Sequence, residues 1–204
     1  MKTILKNLSL MMAVLISLSS CLDGWENPIS DVQDAKVDKR LIGTWVFTDD
    51  SESKGKIHIY EIDEHSLYSY SYDPSSEQRC VLNYHEFRIS EVDGRTFVNS
   101  RRFNCGTKEF SKYDIDEYEF NGENEVIIYP INEDFVEEAI RDKELPGEDV
   151  GNEYHNYVVT ATSQEIREFI RNSPKEKLFD RDNPLILKRF ERPKVAKKSI
   201  CILF

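Results

Sequence analysis

Metal chemistry and acid–base catalysis need imidazoles, thiolates or carboxylates at set spacings, and this chain carries four histidines, four cysteines and 38 aspartates and glutamates. His58, His65, His85 and His155 contain no i, i+4 pair and no His-Glu-x-x-His run, the spacing that sets two imidazoles on one helical face around zinc. His85 and Glu86 are adjacent on an expected strand, so they point to opposite faces and cannot act as one ligand set. There is no Gly-x-Ser-x-Gly elbow for a nucleophilic serine. The 8 glycines do not cluster into a phosphate cradle. Two acidic runs, Asp114-Ile115-Asp116-Glu117 and Asp180-Arg181-Asp182-Asn183, superficially suggest calcium or a glycosidase pair. Both lack the central glycine and distal glutamate of a calcium loop, and they read as solvated acidic loops. The expectation is a non-catalytic chain with no metal and no cofactor.

The best candidate for recognition is aromatic. In Leu67-Tyr68-Ser69-Tyr70-Ser71-Tyr72 strict alternation predicts a half-buried strand with three tyrosines on one face and two serines on the other. Tyrosine offers large, rigid contact area with a polar tip. Facing into a barrel, Tyr68, Tyr70 and Tyr72 line a pocket for an apolar or aromatic ligand; facing an ordinary core, they are packing.

The elements that must position these residues are mostly strands. Runs rich in Val, Ile, Tyr and Phe fall at 44–48, 56–62, 67–72, 80–90, 95–103, 115–120, 125–131, 154–161 and 185–190, separated by turn signals such as Asp93-Gly94 and Asn121-Gly122. Two segments read as helices. Thr162-Ser163-Gln164-Glu165 has the form of a capping box, followed by the apolar stripe Ile166, Phe169, Ile170 and the stop Ser173-Pro174. Asn132 is placed to cap another, with Phe135, Val136, Ala139 and Ile140 inward.

The ends set the compartment. Lys2 and Lys6 precede an apolar stretch from Leu8 to Leu18, long enough for a signal peptide and too short for a membrane span. It closes on Leu18-Ser19-Ser20-Cys21, which resembles the lipobox of bacterial lipoproteins. The resemblance implies cleavage after residue 20, acylation of Cys21 and anchoring in a bilayer through its fatty chains. Leu22 is not the aspartate that retains lipoproteins in the inner membrane of some enteric bacteria, which favours the outer membrane. The chain carries a net charge of -11; losing residues 1–20, with two lysines and no acid, leaves -13. Such a charge disfavours nucleic acid and suits basic partners.

One domain follows from the remaining length of about 180 residues. The expected organisation is a signal peptide at 1–20, a lipidated cysteine and polar tether at 21–38, a β domain at 39–192 and a tail at 193–204. In the tether, Trp25 is either a lipid-interface anchor or the first core contact. The tail ends in Cys201-Ile202-Leu203-Phe204, which has the shape of a prenylation box. That address conflicts with export, and the tail reads as a short strand or apolar end.

Export also permits disulfides. If 80–90 and 95–103 form a hairpin around the four-residue loop Glu91 to Gly94, Cys80 faces Cys105. A bridge there closes a loop of about 25 residues, worth about 3 kcal/mol on the chain-entropy model.

Finally, Leu41-Ile42-Gly43-Thr44-Trp45 resembles the Gly-x-Trp opening of lipocalins and lipocalin-like bacterial lipoproteins. The resemblance implies a mainly β fold, an antiparallel barrel of about eight strands, with two short helices near the C-terminal half. It also implies that Trp45 plugs the closed end, under a cation supplied by Lys188 or Arg189. The chain departs from the family in lacking its later Thr-Asp-Tyr motif and in having two helices before the last strand. The functional expectation is a lipid-anchored binding module of the cell envelope for a small apolar or aromatic ligand. The alternative is a protein-binding lipoprotein, such as an inhibitor of a cationic hydrolase or a subunit of an envelope complex.

Overall fold

The alternating runs do form strands in the computed structural model, which describes residues 21–48, 56–72, 82–151 and 156–190. The strands are β1 (Cys21–Trp25), β2 (Gly43–Phe47), β3 (Lys56–Glu61), β4 (Leu67–Tyr72), β5 (Leu82–Val92), β6 (Arg95–Asn104), β7 (Glu109–Phe110), β8 (Asp114–Phe120), β9 (Glu125–Tyr129), β10 (Gly147–Asp149), β11 (Asn156–Val159) and β12 (Leu185–Arg189). The helices are α1 (Glu133–Arg141), α2 (Ser163–Asn172) and the single turn α3 (Lys175–Leu178).

Eight strands close on themselves in the order β2, β3, β4, β5, β6, β8, β9, β12 and back to β2, every pair antiparallel. Closure leaves no free edge. Because the strands alternate in direction, β3, β5, β8 and β12 begin at one end of the barrel and finish at the other. At the finishing end, the inward residues Leu41, Trp45, Ile59, Leu67, Ile89, Tyr118, Val126 and Leu187 make one apolar core. At the starting end the inward positions of β4, β5, β6 and β8 turn polar, while Phe47, Ile57 and Ile128 keep the other side apolar.

A second core lies outside the barrel wall. Val92, Phe97 and Ile115 alternate outward and meet Trp25, Ile29, Val136, Ile140, Ile166, Ile170, Leu178 and Phe179. These come from β1, the helices and a small sheet in which β11 pairs parallel with β1 and antiparallel with β10. Both expected helices carry their caps. The Asn132 side chain accepts from the Phe135 N–H at 3.3 Å. Thr162 accepts from the Glu165 N–H at 3.3 Å while Glu165 accepts from the Thr162 N–H at 2.8 Å, so two orphan donors are satisfied.

Three expectations are corrected. Residues 21–38 do not hang free of the domain as a tether: Cys21–Trp25 is a strand, and Trp25, Ile29 and Ala35 are buried. Trp25 is therefore a core contact. The strand expected at 154–161 belongs to the small side sheet and not to the barrel. The β5–β6 hairpin turns on two residues, Asp93 and Gly94, both at positive φ (51° and 74°), as a tight twisted turn requires. Val92 then faces Arg95 and His85 faces Arg102, a shift of two residues from the expected register. Among the described residues no helix is long and apolar enough to cross a membrane.

Candidate functional site

Register decides which way the tyrosines face. Ile57 lies opposite Ser71 and Ile59 opposite Ser69, and both isoleucines pack against the inner core. The serines therefore point inward, and Tyr68 and Tyr70 outward. The pocket-lining role is corrected for Tyr68 and Tyr70, because side chains on the outer wall cannot line the barrel interior. The side chain of Tyr72 lies outside the described residues.

On the outer wall the rings meet one another. His58 stacks on Tyr70 with centroids 4.9 Å apart. Tyr60 lies 6.4 Å from Tyr68 and 6.1 Å from Tyr70. Tyr68 meets the edge of Phe110 at 6.5 Å, and Phe110 meets Phe103 at 5.3 Å. Tyr84 pairs across from Tyr70. All seven are half-buried. Beneath them Glu86 is buried and ion-paired to Arg88 at 3.1 Å and to Arg101, whose guanidinium lies 4.3 Å from the Phe110 ring. Burial, then the Glu86 charge, pushes the Tyr68 hydroxyl above its ordinary value. The helices pack on β6, β8 and the Val92 end of β5, so β3, β4 and the first half of β5 present this aromatic face uncovered by them.

The plug is a single steric unit. Trp45 is fully buried, and its indole N–H donates to the Leu41 carbonyl at 2.7 Å. The Arg189 guanidinium lies 4.3 Å from the Trp45 ring and donates to the carbonyls of Ile42 at 3.0 Å and Arg40 at 2.6 Å. Gly43 sits at φ 141°, and a Cβ there would lie 2.7 Å from the Arg189 Nη1. Lys188 points outward, toward Glu125 at 3.6 Å.

At the polar end of the barrel, register sets Ser69, Ser71, His85, Ser100, Arg102, Asp114 and Asp116 inward. The Ser69 hydroxyl is buried without a hydrogen-bond partner among the described residues. Burial, reinforced by Arg102, holds the His85 imidazole below its ordinary value. Burial raises the Asp114 carboxyl, opposed by Arg102. Asp116 is pushed up to about 7 by burial and by the charges of Asp114 and Glu133, although it accepts the Ile131 N–H at 3.3 Å. Sequence reading missed this group. The signal lay in β8, where Asp114, Asp116, Tyr118 and Phe120 share a face that grades from acid to aromatic.

Alternation also splits the first acidic run. Glu117 points outward and is buried among Arg95 at 2.6 Å, Lys175 at 3.4 Å and Arg181. Burial works to raise its carboxyl, but Arg95 and Arg181 hold it below the usual range. It pins the α3 segment to the barrel. In the second run, Asp180 accepts from the backbone of Asp182 and Asn183 at 3.0 and 3.1 Å, forming an ordinary turn. Cys105 lies just past β6, in the turn that leads to β7. Cys80, Cys201 and the acidic residues 49–52 lie outside the described residues, as does the tail at 193–204.

No family model, curated protein or solved structure matches this chain.

Proposed function

We propose that this chain is a lipid-anchored, non-catalytic binding module of the bacterial cell envelope, held in the outer membrane through acylated Cys21, and that it engages a basic envelope protein. The observation that carries this reading is the uncovered aromatic face of His58, Tyr60, Tyr68 and Tyr70. Contiguous half-exposed rings on a barrel wall are the kind of surface that anchors protein contacts. The exposed acids Glu61, Asp63 and Glu64 border it at the end of β3, and the processed chain would carry -13, so its field attracts cationic partners.

A small apolar ligand inside the barrel is the weaker alternative, since the tyrosines expected to line the pocket face outward and the plugged half is packed. The lipocalin-like reading is supported by the Gly43, Trp45 and Arg189 unit. A Cys80–Cys105 bridge also belongs to the proposal.

The test compares wild type with Tyr68→Ala and Tyr70→Ala, using lysozyme and other basic envelope proteins as probes in calorimetry. Binding by the wild type should weaken with added salt, and either variant should lose at least tenfold in affinity, about 1.4 kcal/mol, while remaining folded. Equal affinity in wild type and both variants would exclude this face. Binding of an apolar dye that survives both substitutions would return the barrel interior as the site.

A further inference from the structure

We infer that the cavity between β1 and the polar end of the barrel binds a primary ammonium group that carries an oxygen acceptor a few bonds away. The cavity measures about 220 Å³. Asp114, Asp116 and Glu133 line it, and no lysine or arginine does. The three carboxylates are near enough that Asp114 and Glu133 both disfavour the charge on Asp116. Glu133 stands in the first turn of α1. Acidic groups therefore gather around a space whose lining includes no cation, with Arg102 acting on Asp114 from outside it.

An independent observation points to the rest of the ligand. Trp25 also lines the cavity; it is 1% exposed, and its indole N–H is buried without an acceptor among the described residues. A buried donor left unpaired is costly, and a ligand oxygen would satisfy it. Leu22, Pro130 and Ile131 supply the apolar part of the wall. An ammonium carries N–H donors for these carboxylates, which a quaternary ammonium lacks.

Two sources carry this chemistry, a free amino alcohol and the ethanolamine headgroup of a lipid, and Leu22 directly follows the proposed anchor at Cys21. The full-length acylated protein in detergent is titrated with ethanolamine, choline and ethylene glycol by calorimetry and tryptophan emission. In parallel it is reconstituted into vesicles of phosphatidylcholine with and without phosphatidylethanolamine. Saturable ethanolamine binding, at least tenfold tighter than choline and absent for ethylene glycol, supports a free amine. An emission change confined to vesicles containing phosphatidylethanolamine supports the headgroup. Asp116→Asn should lower either response at least tenfold, and so should Glu133→Gln, an exposed position whose change leaves the core intact. No response in either arm from folded protein overturns the site, as does an undiminished response in both variants. The aromatic-face reading is untouched by that failure, because its probes are proteins and its variants are Tyr68 and Tyr70.

Discussion

Asp116 shows how one side chain links burial to pH. Its carboxyl stands at about 7 in the fold against about 4 in an unfolded chain. A carboxyl raised in this way keeps its proton longer in the native state, so folding loses stability as pH climbs from about 4 to about 7 and loses no more above that. Asn at this position keeps an acceptor for the Ile131 N–H and removes the charge. Asp116→Asn should therefore stabilise the protein at pH 8 by on the order of 2 kcal/mol, discounted from the full shift because the group is only half-buried. At pH 4 the gain should vanish. Urea unfolding at the two pH values checks this, and an equal gain at both would mean that the benefit is not electrostatic. Gly43 makes a steric case at the same scale. Its φ of 141° and the Arg189 guanidinium, 2.7 Å from where a Cβ would stand, exclude a side chain, so Gly43→Ala should cost roughly 1–3 kcal/mol. In the Arg189→Ala background part of that cost should disappear, a coupling that a double-mutant cycle measures; strict additivity would leave backbone strain as the whole effect.

At the scale of elements, what was legible in the sequence is what repeats with a period. The tyrosine strand, the β8 and β9 strands and both capped helices fall within a few residues of their expected places, because alternation and caps are local signals. The short strands were illegible for the same reason. Between Cys21 and Asp38 the buried residues Trp25, Ile29 and Ala35 follow neither a twofold nor a helical period and stand among polar, turn-forming neighbours, so the segment reads as tether. It folds because Trp25 and Ile29 supply apolar area that the outer face of the barrel needs covered. Hairpin register was misplaced by two residues because a four-residue loop and the observed Asp93-Gly94 turn preserve the same facing of side chains. Parity was legible and position was not. The direction of the tyrosine face was undecidable locally: it depends on Ile57 and Ile59 across β3, a nonlocal pairing.

The whole molecule joins two apolar cores through one shared wall, and each core contains one tryptophan. Trp45 reports the barrel interior and Trp25 the core between barrel and helices. Phe97 and Ile115 lie on strands whose inner faces belong to the first core while their own side chains belong to the second. Glu117 ties Arg181 and Lys175 to that same wall. Removing the helices would expose the outer face of β6 and β8, and opening the barrel would remove the surface on which the helices pack, so neither core has an independent folded state to occupy. The expected behaviour is one cooperative transition. Single-tryptophan versions, Trp25→Phe and Trp45→Phe, allow each core to be followed by emission in urea, with circular dichroism as a common reference for each version. Each emission curve should superimpose on its own dichroism curve. An early Trp25 transition ahead of the loss of β structure would show that β1 and the helices detach while the barrel stays closed, and the shared wall would then be a docking face between two separately stable bodies.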